Sequence, residues 1–297
     1  MAERWLLTGG SGQVGLALRR NPPPGVEIVA PGRDVLDLST LIDQGILELS
    51  EFTAVINCAA YTAVDKAEAE PVQAHAVNCE AAGMLAIAAA EAGIPIIHVS
   101  TDYVFAADGT GPWSEDAALA PANVYGRTKA AGELAIIASR ARHAIVRTAW
   151  VISADGSNFV KTMLRLGAER EHLRVVVDQR GTPTHAGDLA ATLAAITARF
   201  VADPDQPSGV WHCANTGETT WHGLAEHVFA CAARRGMKVP QAVEPIATAD
   251  YPTPARRPAD SRLDCTKLGN DFGISLRPWQ EAVDEIVARL ASEGQAR

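Results

Sequence analysis

The chain has 297 residues, of which 47% are hydrophobic and 21% charged, a composition typical of a globular protein with a large core. Its formal net charge of −9 disfavours binding to nucleic acid or to an acidic membrane, because both need a basic face. The five cysteines are scattered without metal-ligand spacing, and no signal peptide or membrane-spanning stretch is evident. We therefore expect reduced thiols in a cytoplasmic protein.

The first half of the chain alternates short apolar runs with helical segments. The runs predict strands at residues 4–7, 26–30, 54–57, 94–100 and 144–147, and the intervening patterns predict helices at 13–20, 41–49, 72–92 and 124–139. Apolar strands separated by helices are typical of a parallel sheet covered on both faces. We therefore predict an α/β fold, a doubly wound parallel sheet that binds ligands at the carboxyl ends of its strands.

The second half is less regular. Helical patterns cover residues 158–170, 189–201, 220–234 and 278–292, and residues 210–214 have a strand pattern. Residues 239–262 are rich in proline, alanine and arginine and are predicted to form an ordered loop. We predict a first domain over residues 1–150 and a smaller, mainly substrate-binding α/β domain over 151–297, with some segments returning to the first sheet.

A glycine-rich turn joins the first predicted strand to the first predicted helix. Gly9, Gly12 and Gly15 permit a tight turn and let the backbone approach a pyrophosphate, whose charge the helix N-terminus stabilises. The alternative is a plain turn with no ligand, but such a turn does not need glycine at all three positions. We therefore predict that residues 1–150 form a dinucleotide-binding Rossmann domain in which Gly9 and Gly12 contact the cofactor.

The residues after the second predicted strand bear on the choice of nicotinamide cofactor. Arg33 suits a 2′-phosphate and favours NADPH, whereas the neighbouring Asp34 suits a ribose hydroxyl; a solvated loop arginine is an equally open alternative for Arg33. Asp37 and Leu38 follow and are placed to contact the adenine. We expect NADPH and leave NADH open.

Tyr125 and Lys129 are four residues apart and therefore neighbours on one face of a predicted helix. A cation beside a phenol lowers the phenol's pKa from its usual value of about 10, which would let Tyr125 donate a proton to a carbonyl oxygen. The spacing alone is common by chance, but Thr101 follows the fourth predicted strand at the same edge of the sheet. We predict that Tyr125, Lys129 and Thr101 are catalytic, and that Tyr125 and Lys129 also contact the cofactor.

Motifs throughout the chain resemble the extended short-chain dehydrogenase/reductases and, within them, the dTDP-4-dehydrorhamnose reductase family. They lie at residues 12–15, 57–68, 100–105, 123–129, 147–151, 158–163, 181–184 and 251–263. The C-terminal matches are the most specific, because the Rossmann half is shared by many activities. The resemblance implies NAD(P)H-dependent reduction of the C4 keto group of dTDP-4-dehydro-L-rhamnose to dTDP-L-rhamnose, with Tyr125 as the proton donor.

The resemblance also implies two sets of ligand-binding residues. The cofactor would be lined by Gly12, Gln13, Val14, Asp37, Leu38, Ala60, Tyr61 and Thr62, and the sugar nucleotide by Thr101, Asp102, Tyr103 and Trp150. Sugar-nucleotide dehydratases of this superfamily carry an Asp–Glu pair after the threonine. Here Asp102 is followed by Tyr103, which favours reduction over dehydration.

The sequence departs from part of the family at a metal site. Some members hold Mg²⁺ between two subunits through glutamates, and the positions aligned with those ligands are Ala17, Gly187 and Gln280. None of these side chains offers a carboxylate, which Mg²⁺ prefers. We therefore expect no metal ion and either a monomer or a weak homodimer.

A net-acidic protein that binds a nucleotide diphosphate needs local positive charge. Arg256, Arg257 and Arg262 lie in the proline-rich segment predicted to cover the substrate, and guanidinium groups are suited to phosphate. We assign Arg257 and Arg262 to substrate binding.

Two alternative functions remain open. One is a reductase or epimerase of another nucleotide-linked deoxysugar, which would share the catalytic residues and differ only in the pocket. The other is a non-catalytic regulatory subunit of the same fold, since the regulatory subunit of methionine adenosyltransferase resembles this family. The intact set of Thr101, Tyr125 and Lys129 counts against the second alternative.

Overall fold

The computed structural model describes residues 3–41 and 47–295 of the chain, and a parallel sheet lies at its centre. The strands in chain order are β1 (Glu3–Thr8), β2 (Val26–Val29), β3 (Ala54–Asn57), β4 (Ile96–Thr101), β5 (His143–Thr148), β6 (Val151–Ile152), β7 (His172–Val176), β8 (Arg180–Gly181), β9 (Thr184–His185), β10 (Gly209–His212), β11 (Thr219–Thr220) and β12 (Ala242–Ile246). Six of them form the central sheet in the order β10-β5-β4-β3-β1-β2, and every pairing in it is parallel. The predicted α/β fold class is confirmed.

The helices follow the predicted alternation. They are α1 (Gln13–Arg20), α2 (Val64–Ala69), α3 (Pro71–His75), α4 (Ala81–Glu91), α5 (Val124–Ala138), α6 (Phe159–Glu169), α7 (Ala186–Ala202), α8 (Trp221–Ala233), α9 (Thr266–Phe272) and α10 (Trp279–Gln295). A π-helical turn, Ala76–Glu80, joins α3 to α4 within the segment predicted as one helix. Residues 42–46 of the helix predicted at 41–49 lie outside the described residues. Within the described part of the chain, no helix combines the length and the apolar character needed to cross a bilayer.

The apolar strands bury both of their faces. Consecutive strand residues point to opposite sides, so Leu6 packs against α4 and α5 on one side of the sheet and Leu7 against α1 and α7 on the other. The strand order changes direction between β1 and β3, because β2 and β3 lie on opposite sides of β1. The crevice above the carboxyl ends of these two strands is the place where such sheets bind ligands.

A smaller lobe packs against the sheet. Its core contains Val160, Leu224, Val228, Val283 and Ile286, from α6, α8 and α10, and its strands β7 and β12 pair in parallel. Strand β10, from the second half of the chain, pairs in parallel with β5 in the central sheet.

The loop predicted over residues 239–262 is partly wrong, because it contains β12. Proline is poorly compatible with a central strand, and Pro245 concealed this one from sequence reasoning. Among the described residues its one pairing partner is β7, about 70 residues earlier in the chain, which no local pattern indicates.

Candidate active site

The glycine turn after β1 packs tightly against the segment after β3. Gly9 has a φ of +73°, and a Cβ there would lie 2.6 Å from the backbone nitrogen of Ala59. A Cβ on Gly15 would lie 2.2 Å from the carbonyl oxygen of Gly9. Helix α1 begins after Gly12 without a side-chain cap and with no acidic residue in its first turn. Its first N–H groups therefore have no side-chain acceptor and are suited to the oxygens of a pyrophosphate.

The other predicted cofactor residues lie around this turn. Residues 60–62 follow β3, where the N–H of Tyr61 donates to Asn78 at 2.8 Å and its hydroxyl donates to Glu70 at 2.7 Å. Asp37 lies beyond β2, and its carboxylate accepts two hydrogen bonds from Ser39, which lower its pKa. Three neighbouring strands thus bring these segments to one edge of the sheet, as a dinucleotide requires.

Gln13 and Arg33 differ in their surroundings. The side-chain oxygen of Gln13, in the first turn of α1, accepts a hydrogen bond from Asn158 at 2.9 Å, which links the glycine turn to the N-terminus of α6. Leu38 is buried, whereas Arg33 is exposed to solvent. The structure therefore places Gln13 and Leu38 in fixed positions and leaves the arginine side chain in a solvated loop.

The three predicted catalytic residues come from two adjacent elements. Thr101 ends β4, and its hydroxyl donates to Asp102 at 2.9 Å. Helix α5 begins at Val124, where the carboxamide of Asn123 caps it by accepting from the N–H of Gly126 at 2.8 Å. Tyr125 therefore lies in the first turn of α5, beside the end of β4, and its ring packs edge-on against Tyr103 at a centroid distance of 5.5 Å.

The acidity of Tyr125 differs from our expectation. Burial raises the pKa of its phenol, Asp102 and Tyr103 add to the increase, and a hydrogen bond with Thr101 only partly offsets it. The prediction that Lys129 lowers this pKa is wrong, since the cost of desolvating a phenolate dominates. Tyr125 is therefore a neutral phenol near pH 7, which is the protonation state that a proton donor needs.

Lys129 is directed into the sheet. Its side chain is 1% exposed, and its nitrogen lies 2.7 Å from the carbonyl oxygen of Val99 and 3.0 Å from Nε2 of His98. Burial lowers the pKa of Lys129 to about 8, against smaller opposing effects of Glu133 and Cys58. This lysine can change protonation state close to physiological pH.

Hydrogen-bond geometry determines which atom carries the proton between His98 and Lys129. The side-chain oxygen of Asn57 accepts from the hydroxyl of Thr8 at 2.7 Å and from the N–H of Ala59 at 3.1 Å. Its amide nitrogen must then donate to Nδ1 of His98, 3.0 Å away. Burial keeps the pKa of His98 well below its ordinary value, so the neutral ring carries its proton on Nε2 and can donate it only to the neutral amine form of Lys129. Sequence reasoning had treated His98 as structural or pocket-lining.

A buried acid lies next to Thr101 in the chain. Asp102 is 3% exposed, and burial raises its pKa to about 7, against hydrogen bonds from Thr101, Ser261 and backbone groups that lower it. Its carboxyl group is therefore a second group, besides Lys129, whose charge changes near neutral pH.

A cleft of about 630 Å³ opens beside Tyr103 and extends into the smaller lobe. Aromatic and apolar side chains line much of it, including Phe159, Met163 and Trp221. Trp150, the predicted substrate contact, stacks on Trp221 at a centroid distance of 3.6 Å and backs this wall. Sequence reasoning missed Trp221, which presents its ring to the cleft.

The three predicted arginines have different surroundings. Arg257 lines this cleft, and its guanidinium donates to the hydroxyl of Tyr103 at 3.0 Å and to Asp65 at 2.5 Å. Arg262 lines a different cleft and is held by Asp260 at 2.6 Å and by Glu218. Arg256 is exposed and pairs with Asp108 at 3.4 Å. Of these three guanidinium groups, that of Arg257 contacts Tyr103 beside Tyr125, whereas Arg256 approaches only through its backbone oxygen, which accepts from Asn123 at 2.9 Å.

The whole chain matches one protein family. The family model described as the RmlD substrate-binding domain matches residues 3–292. The chain belongs to this family. The resemblance predicted from the sequence motifs is therefore confirmed.

Named relatives of this RmlD-family chain agree with one another. It is 42% identical to a dTDP-4-dehydrorhamnose reductase of Sinorhizobium fredii, over 98% of this chain and 99% of the relative. It is 41% identical to the enzyme of the same name from Escherichia coli, over 96% and 97% of the two chains. A solved structure of dTDP-4-dehydrorhamnose reductase from Bacillus anthracis, in complex with NADP, superimposes with a TM-score of 0.87 at 34% identity, over 97% of this chain and 100% of that one.

Proposed function

We propose that this protein reduces the C4 keto group of dTDP-4-dehydro-L-rhamnose to dTDP-L-rhamnose with NADPH or NADH. The observation that carries the proposal is the position of Tyr125. It is a protonated phenol at the edge of the sheet, next to Thr101 and on the same edge as the uncapped N-terminus of α1. The identities of about 40% to reductases of this name, over nearly the full length of both chains, support the same substrate.

The proposed chemistry needs one hydride and one proton. A bound dihydronicotinamide supplies the hydride to C4. Tyr125 gives its phenolic proton to the carbonyl oxygen, so its O–H bond breaks as the product hydroxyl forms, and Thr101 orients that oxygen. A phenolate then remains on the buried tyrosine. The ammonium form of Lys129, one helical turn away, would return a proton to this phenolate and then regain one from water, which its pKa of about 8 permits near neutral pH.

The ligand-binding roles are part of the proposal. We assign the cofactor to the residues predicted for it, which are Gly9, Gly12, Gln13, Val14, Arg33, Asp37, Leu38, Ala60, Tyr61, Thr62, Tyr125 and Lys129. We assign the sugar nucleotide to Thr101, Asp102, Tyr103, Trp150, Trp221 and Arg257. Residues 1–150 would hold the cofactor and the smaller lobe the sugar nucleotide. We also propose that the protein works in the cytoplasm, which agrees with its five free cysteines.

The test is oxidation of NADPH by the purified protein with dTDP-4-dehydro-L-rhamnose generated in the assay. Tyr125→Phe removes the proton donor and is expected to lower kcat by roughly 10²–10⁴. Turnover only with another keto-sugar nucleotide would shift the assignment to a related reductase. Binding of NADPH without turnover of any such substrate would instead indicate a non-catalytic regulatory protein.

A further inference from the structure

Three potential metal ligands meet where α8 packs against α10. His227 and Cys231 are one turn apart on α8, and Asp284 faces them from α10. Nε2 of His227 lies 3.0 Å from Oδ1 of Asp284, and Sγ of Cys231 lies 2.5 Å from the same oxygen. One donor atom from each of the three lies within 4.8 Å of the other two. None of these residues belongs to the site around Tyr125.

The surroundings hold these side chains in place and leave one side open. Cys231 is completely buried, while the side chains of His227 and Asp284 are 25% and 43% exposed. The ring of Trp279 packs edge-on against His227 at 5.1 Å and fixes the plane of the imidazole. Arg235 donates to the backbone oxygen of Cys231 at 3.0 Å and to that of Asp284 at 3.4 Å, which ties the two helices together.

We propose that His227, Cys231 and Asp284 bind a zinc ion, with water at the solvent side as the fourth ligand. Imidazole, thiolate and carboxylate are all zinc ligands, and a tetrahedral site needs its donor atoms roughly 3–4 Å apart. Only small side-chain rotations separate the observed distances from that geometry. This proposal runs against our expectation of no metal ion. His227 and Cys231 are four residues apart on α8, and that spacing was the signal that sequence reasoning overlooked.

The charges around the cluster determine how binding depends on pH. Burial raises the pKa of the Cys231 thiol to about 11, Asp284 adds to this increase, and Arg234 and Arg235 oppose it. Burial alone would raise the pKa of Asp284, but hydrogen bonds from Cys231 and His227 outweigh it and keep this group a carboxylate. Zinc must therefore displace the thiol proton, and we expect its affinity to fall as the pH falls.

Arg234 competes with the metal ion for the same ligands. Its guanidinium lies 3.2 Å from Sγ of Cys231 and 3.6 Å from Oδ1 of Asp284, and its side chain is 58% exposed. The long side chain can turn into solvent when a cation arrives. Removing this positive charge should strengthen zinc binding, which distinguishes a metal site from a purely polar contact between helices.

A zinc ion bound at this site would link helix α10 to the rest of the smaller lobe. An ion that binds the folded chain and not the unfolded one stabilises it by mass action. For a chain of this size we expect Tm to rise by roughly 5 °C when free zinc is about 100 times its Kd. The reductase reaction needs no zinc, so its rate should be the same with and without the ion.

The experiment uses the metal-free full-length protein, titrated with ZnCl₂ alone for Tm and with Co²⁺ alone for absorption. We expect a thiolate-to-cobalt charge-transfer band and a rise in Tm for the wild type. Both should be lost in Cys231→Ser and Asp284→Asn, kept in Cys265→Ser, and reached at lower metal concentration in Arg234→Ala.

Two outcomes would overturn the proposal. One is a wild type with neither the band nor the rise in Tm, and the other is a band of equal strength in Cys231→Ser. If Cys231→Ser does not fold, the partly exposed Asp284→Asn variant decides, since full metal binding there would exclude Asp284 as a ligand. Because the readouts do not involve the keto sugar, they stay informative if the proposed reductase activity fails.

Discussion

The side-chain nitrogen of Lys129 lies 3.0 Å from Nε2 of the buried His98, and it can accept a hydrogen bond from that ring only as a neutral amine. Thr8 and Ala59 both donate to the side-chain oxygen of Asn57 and so fix the orientation of its amide. The amide nitrogen of Asn57 then donates to Nδ1 of His98, which leaves the ring proton on Nε2. A protonated Lys129 would need the lone pair of Nε2. The histidine would then carry its proton on Nδ1, the amide of Asn57 would turn over, and the N–H of Ala59 would lose its acceptor. Protonation of Lys129 is therefore coupled to a rearrangement of the network.

Asn57→Asp tests this coupling. The new carboxylate still accepts from Thr8 and Ala59 and also accepts from Nδ1–H of His98, which turns the lone pair of Nε2 towards Lys129. We expect the pKa of Lys129 to rise by about one unit or more from its value of about 8. The chain has only five lysines, so ¹³Cε NMR of labelled lysine can follow the titration. An unchanged or lower pKa would show that the network does not control this lysine.

Stability should depend on pH through Lys129. Burial lowers its pKa from 10.5 to about 8 in the folded chain. Between these two pH values the unfolded chain therefore carries a proton on this lysine that the folded chain lacks. Stability contributed by the neutral amine is therefore complete above about pH 10.5 and lost as the pH falls through about 8. The difference in the free energy of unfolding between wild type and Lys129→Met should change by up to about 3 kcal/mol across this window. Urea denaturation at several pH values measures it, and a constant difference would contradict it.

Arg257 and Arg262 should behave differently although they lie five residues apart. Arg257 faces the cleft beside Tyr103, so Arg257→Ala is expected to raise KM for the sugar nucleotide by roughly 10-fold or more with little change in NADPH affinity. Arg262 is engaged by Asp260 and Glu218, so Arg262→Ala should lower Tm and leave KM nearly unchanged. Steady-state kinetics and thermal denaturation of both variants test this difference between the two arginines. An equal rise in KM for both variants would show that Arg262 also binds the substrate.

Two glycines in helices, Gly15 in α1 after the glycine turn and Gly269 in α9, provide a matched pair of substitutions. A Cβ on Gly15 meets the carbonyl oxygen of Gly9 at 2.2 Å, whereas a Cβ on Gly269 meets only the oxygen of Ile274 at 3.8 Å. Gly15→Ala should therefore lower stability by about 1–3 kcal/mol and weaken NADPH binding. Gly269→Ala should leave NADPH binding unchanged and raise stability by up to about 1 kcal/mol. Equal NADPH affinities for both variants would argue against a cofactor at this turn.

The sequence by itself determined the sheet, the glycine turn and the family. These depend on local patterns: apolar runs of strand length, glycine where the backbone must approach itself, and motifs distributed over the whole chain. The spacing of Tyr125 and Lys129 on α5 was likewise predictable, since a helix places residues four apart on one face. The pairing of β12 with β7 was not, because it joins segments far apart in sequence and includes a proline.

Only the tertiary structure decided the protonation states of Tyr125, Lys129 and His98. Burial raises the pKa of Tyr125 and lowers that of Lys129, and the extent of burial depends on every element packed around them. The tautomer of His98 depends on Asn57, a residue 41 positions earlier, and the separation of Arg257 from Arg262 depends on which carboxylates the fold places beside each. A sequence specifies which ionisable groups are present. Their charges follow from solvation and from long-range partners, which exist only once the chain has folded.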